Sequence, residues 1–413
     1  MERHLAVRLV LIWALVSLWA AGAAGGQPAP APGGPEAPSN LGVPSSTSRR
    51  ELAEAYIRFD AAFMASTLDD AQRRELHKAF DAATMQFFSG NLGAVVTAVE
   101  ALTARLAGAD APPPEVDPGM TDAEIAAWRD RLRELIASAP RDAAPEGSVA
   151  WDIAKARADL VDRADPRTDS ARFLAGQRAL AEQVEREVQE LAKGNNPYRD
   201  HPGEIWRPVV HKGTTVPCRV YAPPAGREKA RPLVIVLHGA GGDEAMFLHA
   251  YGAGQIKQLA DEHGFIVASP LTYPLMGNGE LFDVLVGQIA SDYSIDTDRV
   301  YVVGHSMGGG AAVMLASLRG GSIGAAAGIC GGTAIGLKTR SCPVLLVGGE
   351  VDPIIRAASL EKMAERTTRN GHRMEYREHP GGGHTLTVNE VLPEVVRWLL
   401  DHRRRPDAPA GEK

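Results

Sequence analysis

The 413-residue chain is poor in cysteine, aromatic residues and excess positive charge. Three cysteines, Cys218, Cys330 and Cys342, leave no framework of disulfides to staple a small fold. Cys330 falls at the end of one expected strand and Cys342 at the start of the next. In a parallel sheet those are opposite ends, about 15 Å apart, well beyond the reach of a disulfide. Three buried thiols are therefore expected. The formal charge of −7 gives no basic footprint for nucleic acid. Histidines and carboxylates nowhere cluster at ligand spacing, so no metal or other cofactor is implied. Long apolar runs are also missing after the first residues, and stretches of short propeller-like strands are absent.

The N-terminus holds the exception. Residues 1–24 carry Arg3 and Arg8, then the apolar run Leu9–Ala21, then small residues at Ala21-Gly22-Ala23. This is the pattern of a secretory signal peptide, which places the mature protein outside the cell or in a periplasm. Retention as a single membrane anchor is the alternative. After cleavage no stable membrane span is expected. Residues 25–48, rich in Pro, Gly, Ala and Ser, read as a disordered linker.

Residues 49–194 read as a helical domain of unknown role. Capping boxes at Ser48–Glu51 and Thr121–Glu124 open helices, and apolar residues recur at helical spacing. One helix is expected from about Asp69 to Phe88, with Leu76, Phe80, Ala83 and Phe87 on one face. Another is expected from about Ser170 to Leu191, and the prolines of Ala111–Gly119 break the pattern. Together these lengths and short joints suggest a small antiparallel bundle. His77 is a lone histidine and reads as a surface or packing residue. Charge runs such as Glu185–Glu190 read as a solvated helix face.

The texture changes after about residue 205. Strands alternate with helices up to residue 403, with a charged tail at 404–413. Arg207–Val210 and Val216–Tyr221 read as an opening hairpin, and a helix is expected over Glu244–Glu262. This is the pattern of an α/β fold built on a doubly wound, mainly parallel sheet. Pro232–Leu237 is continuously apolar, as a strand covered on both faces must be. Val300–Val303 is a second such strand, and it leads into Gly304-His305-Ser306-Met307-Gly308. A G-x-S-x-G at a strand-to-helix turn pushes the serine hydroxyl out at the carboxyl end of the sheet. The Met307 amide then faces the place where an oxyanion would form.

A serine hydroxyl needs a base, and that base needs a carboxylate to orient it. Each candidate must follow a strand, so that all meet at one sheet edge. His238–Gly242 (H-G-A-G-G) follows the first strand and offers a second oxyanion donor, assigned to Ala240 with Gly241 as the near alternative. Asp352 follows strand Val344–Val347, with Glu350 as the rival acid. His384 ends the flexible-looking run Gly381-Gly382-Gly383 with an exposed imidazole, and His379 is the less favoured base. His305, inside the turn, cannot easily face the serine. Ser306, Asp352 and His384 appear in the chain order of the α/β-hydrolases.

Residues from about Pro208 to Arg403 resemble that superfamily. Within it they resemble feruloyl esterases, polyhydroxybutyrate depolymerase-like proteins and dienelactone hydrolase-like proteins. The motifs are H-G-A-G-G, I-D-T-D-R-V-Y-V-V-G-H-S-M-G-G, G-G-E-V-D-P-I and G-G-G-H-T. The resemblance implies hydrolysis of carboxylic esters through an acyl-enzyme on the serine and leaves the substrate open. A serine peptidase of the prolyl-oligopeptidase-like type shares this domain, but the chain lacks its propeller. A helical binding or scaffold protein with a residual hydrolase domain is the reading from another class. The connection Gly331–Ser341 is too short for a lid domain, so the site should be open unless the N-terminal helices cover it, and an open cleft favours a bulky or polymer-linked ester over a small-molecule one. Tyr273 and Met276 are wall residues or ordinary packing.

Overall fold

In the computed structural model, residues 49–107, 120–138, 149–163, 176–224, 229–337 and 339–404 are described. The signal segment, the linker, the Ala111–Gly119 break and most of the tail lie outside them. Eight strands form one sheet in the order β1-β4-β6-β5-β7-β8-β9-β10. They are β1 (Gly203–Trp206), β4 (Cys218–Ala222), β5 (Arg231–Leu237), β6 (Ile266–Pro270), β7 (Ile295–His305), β8 (Ala325–Ile329), β9 (Val344–Gly349) and β10 (Met374–His379). Pairing is antiparallel between β1 and β4 and between β4 and β6, and parallel from β6 through to β10. The hairpin expected at the start resolves differently. β2 (Val209–His211) and β3 (Thr214–Val216) form a separate two-stranded sheet, while β4 joins the main one.

Alternation along the central strands sends neighbouring side chains to opposite faces. Leu233, Ile235, Val300 and Val302 enter one core, whereas Val234, Val236, Tyr301 and Val303 enter the other. All seven residues of β5 are buried, which explains the unbroken apolar run Pro232–Leu237 within it. The expected helix over Glu244–Glu262 is broken. A π-helical turn (Met246–Ala250) and a tight turn (Tyr251–Ala253) precede α7 (Gln255–His263). Gly252 and Gly254 adopt positive φ there, which no helix interior accommodates. α8 (Gly279–Asp292), α9 (Met307–Leu318), α10 (Ala357–Arg369) and α11 (Thr387–Leu400) complete the layers. Between β8 and β9 the described residues form neither helix nor strand, so no lid is inserted there.

The helices before the sheet sort into two groups with different cores. α1 (Arg49–Ala65), α2 (Asp70–Thr84) and α3 (Leu92–Ala107) share Phe59, Phe63, Phe80, Val95 and Val99. A short 3-10 turn, Met85–Ser89, links α2 to the loop before α3. α4 (Asp122–Ser138), α5 (Ala150–Arg163) and α6 (Gln177–Ala192) instead contribute Trp128, Ile153, Leu180 and Val184 to the core of one sheet face. Sequence reading does not anticipate α5. Its buried Arg157 bonds Glu187 and the Trp206 carbonyl, and so ties this group to β1. All three cysteines are buried and unpaired.

Candidate active site

β7 ends at His305 and α9 begins at Met307, so Ser306 occupies the turn between them. Its φ of 54° and ψ of −115° are strained for a residue with a side chain. Crowding on both sides explains the glycines. A Cβ on Gly304 would strike the Gly308 carbonyl, and one on Gly308 would strike the Leu237 carbonyl. The strand exit can therefore turn this sharply only with hydrogen at both positions. As the first residue of α9, Met307 carries an amide that has no acceptor within the helix.

Three side chains from three strand exits meet here. Ser306 Oγ lies 2.9 Å from His384 Nε2, and His384 Nδ1 lies 2.8 Å from Asp352 Oδ2. Asp352 Oδ1 accepts from the Ile354 and Ile355 amides at 2.8 and 2.9 Å, which fixes the carboxylate in its own loop. Glu350 is elsewhere, in a two-point ion pair with Arg74 at 3.0 and 2.8 Å. His379 Nε2 faces Glu390 Oε2 at 2.7 Å and does not reach the serine. Gly241 donates its N–H to Tyr273 Oη at 2.9 Å, so that amide is already engaged. Tyr273 thereby shapes the loop. His238 is held in the same turn, facing the Gly239 carbonyl through Nδ1 and accepting from Thr272 N through Nε2.

Two expectations about the histidine loop change. The imidazole of His384 is not exposed, because the residue is 5 % accessible. Nor are the glycines before it a flexible run, because bonds from several directions pin the loop. Gly381 N donates to Glu350 Oε2 at 2.7 Å, and Gly383 N donates to His77 Nδ1 at 2.7 Å. The His384 and Thr385 amides both donate to the Asp81 carboxylate, at 2.6 and 3.1 Å. From the opposite side His305 Nε2 faces the His384 carbonyl at 3.0 Å, while its Nδ1 faces Tyr251 Oη at 2.8 Å. Burial, and then the neighbouring His384, hold His305 well below the usual histidine range. It is a neutral donor to a carbonyl.

His77 is no surface residue, since it is fully buried and meets the histidine loop. With Nδ1 accepting, its proton sits on Nε2, 3.0 Å from Glu390 Oε2. Glu390 also meets His379 and Arg73. Burial pushes the Glu390 carboxyl up, but the bonds from His379 and His77 outweigh this and hold it far below the carboxylate range. Asp81 is pushed up by burial, against the pull of its two amide donors. Sequence reading missed both α2 residues. A signal does exist: His77 and Asp81 lie one turn apart on the stripe that carries Leu76, Phe80 and Ala83.

Cys330, Asp352 and His384 offer atoms within ligand distance of one another. That geometry is already used. Asp352 and His384 bond each other, and Cys330 Sγ donates to the Gly383 carbonyl at 3.5 Å. Burial and the nearby Asp352 charge push the Cys330 thiol well up, which keeps it protonated.

The family model for the dienelactone hydrolase family matches residues 279–393, which span α8 to α11 and include all three residues of the relay. This part of the chain has the α/β-hydrolase fold. Among curated proteins, none matches the chain. Solved structures similar to the hydrolase include a thermostable esterase at 19% identity, covering 49% of this chain and 63% of that one, with a TM-score of 0.39. An S-formylglutathione hydrolase from Agrobacterium tumefaciens is similar at 15% identity, covering 48% of this chain and 94% of that one, with a TM-score of 0.42. The feruloyl esterase module from Clostridium thermocellum, in a mutant complexed with sinapinate, is similar at 12% identity, covering 51% and 91%, with a TM-score of 0.42.

Proposed function

We propose that the protein is an exported serine esterase that cleaves carboxylic esters through an acyl-enzyme. The hydrogen-bonded relay from Ser306 through His384 to Asp352, at 2.9 and 2.8 Å, carries this reading. Ser306 Oγ attacks the ester carbonyl while its proton passes to His384 Nε2. Charge on the carbonyl oxygen is met by the amides of Ala240 and Met307. Asp352, accepting from Nδ1–H, stabilises the imidazolium that forms. Collapse breaks the bond to the alkoxy group, which leaves with the proton from His384. Water then gives a proton to His384 and attacks the acyl-enzyme, and the acid departs as Ser306 regains its hydrogen.

The Met85–Ser89 turn bears on substrate size. Phe87 stands so close to Gly241 that a Cβ on that glycine would overlap its ring. The N-terminal helices therefore flank the oxyanion loop and restrict approach on that side, which favours a small ester over a polymer-linked one. Export rests on the pattern of residues 1–24, and no helix among the described residues is long and apolar enough to cross a membrane.

The test is hydrolysis of short p-nitrophenyl esters by the purified protein. Ser306→Ala should lower kcat by about 10⁴- to 10⁶-fold. Equal activity in the two proteins would refute the reading, and a panel in which peptide amides outrun every ester would redirect it.

A further inference from the structure

The α/β-hydrolase motifs account for every member of the relay, yet none of them accounts for what holds the histidine. His384 follows β10 across a four-residue loop, Pro380–Gly383, and the end of that loop is held by another part of the chain. His77 and Asp81, 306 and 303 residues earlier, accept three consecutive loop amides, those of Gly383, His384 and Thr385. The arrangement uses backbone donors that would otherwise be buried without partners, since a buried N–H must find an acceptor. Both acceptors are embedded. His77 is 0 % and Asp81 1 % accessible.

Steric fit reaches the same conclusion independently. A Cβ on Gly383 would strike Asp81 Oδ2 and would lie 3.2 Å from His77 Cβ. The glycine is thus a contact surface for α2. The carbonyl side of the loop is satisfied from the hydrolase itself, by His305 on His384 O and by Thr387 and Cys330 on Gly383 O. The last three amides are held from α2 and these two carbonyls from the hydrolase, so neither alone defines the loop.

We infer that α2 is a built-in brace of the active site, in which Asp81 and His77 are positioning residues that set the angle at which His384 meets Ser306. Neither touches substrate. Asp81 acts through the His384 backbone, and His77 acts through Gly383 while Glu390 Oε2 lies 3.0 Å from its Nε2. This deepens the esterase reading and rests on it.

The experiment uses the full chain and short p-nitrophenyl esters. Asp81→Ala removes both carboxylate acceptors, and a histidine displaced by about 1 Å lowers kcat by about 10²-fold with KM little changed. Asp81→Asn keeps one acceptor oxygen and should recover part of that loss. His77→Asn, whose amide oxygen can stand where Nδ1 stands, should outperform His77→Phe. The exposed Glu75→Ala on the same helix serves as the control and retains full activity. An activity-independent readout is the downfield proton NMR signal of His384 Nδ1–H, which should shift or broaden in Asp81→Ala and stay in place in Glu75→Ala. Should Asp81→Ala fail to fold, Asp81→Asn and the His77 pair decide. Wild-type kcat and an unmoved proton signal in folded Asp81 variants overturn the brace. Losses in Asp81→Asn and Glu75→Ala of equal size overturn it too. If Ser306→Ala is inactive while the Asp81 variants are not, the brace alone falls. Full activity in Ser306→Ala removes the esterase reading itself.

Discussion

Helices α4–α6 and helices α1–α3 both lie against the hydrolase, but they attach to it by different chemistry. The later group merges its apolar residues with one face of the sheet. Trp128, Ile153, Leu180 and Val184 sit in the same core as Leu233, Ile235 and Val302. The earlier group keeps a core of its own, in which Leu386 is the only buried hydrophobic residue from the hydrolase among the described residues. Its attachment is largely polar: Asp81 and His77 on loop amides, Arg74 on Glu350, Arg73 on Glu390, and Asp60 on Asn389. Apolar burial is non-directional and supplies stability roughly in proportion to area. Hydrogen bonds are directional and supply geometry. The difference teaches that one group supports the fold, whereas the other orients a loop within it.

The largest effect that could break this contrast is in the supporting group. Leu180→Ala should cost about 2–5 kcal/mol of stability in a denaturant titration, as for a fully buried leucine. The kcat of the folded protein should stay near the wild-type value. In the orienting group, Gly383→Ala drives a methyl group into the Asp81 carboxylate. It should lower kcat by about 10²-fold, with a smaller loss of stability. A fully active Gly383→Ala would show that α2 can move away without consequence.

The smallest effect concerns the opposite side of the same loop. His305 is buried with its proton affinity lowered from the ordinary value of 6.5. Below about that pH the unfolded chain binds the extra proton and the folded one does not, so this contribution to stability is full above it and declines as pH falls. In His305→Gln the decline of melting temperature between about pH 7 and 5 should be shallower than in the wild type. Parallel slopes would remove His305 from that role.

The sheet and the relay were legible in the sequence for local reasons. Unbroken apolar runs such as Pro232–Leu237 announce buried strands, and the loops after them carry Ser306, Asp352 and His384 as short motifs. The break at Gly252 and Gly254 was not, because the flanking residues favour helix and only the backbone angles reveal the turn. The brace was hidden for a different reason. Its bonds join residues about three hundred positions apart, and they end on backbone amides, which no side-chain pattern displays. His77 and Asp81 were visible as polar residues on an apolar stripe, and only their burial gives that oddity a meaning. The triple glycine misled in the other direction, since glycine permits mobility and also permits close approach. Gly383 serves the second purpose.

The central claim is that the first helical group orients His384 while the second only stabilises the fold. The most direct test compares kcat for Asp81→Ala and Leu180→Ala in the full chain, at a temperature where circular dichroism shows both folded. The account predicts a kcat lowered by about 10²-fold in Asp81→Ala and unchanged in Leu180→Ala. Equal losses in the two variants, or a loss confined to Leu180→Ala, would contradict it.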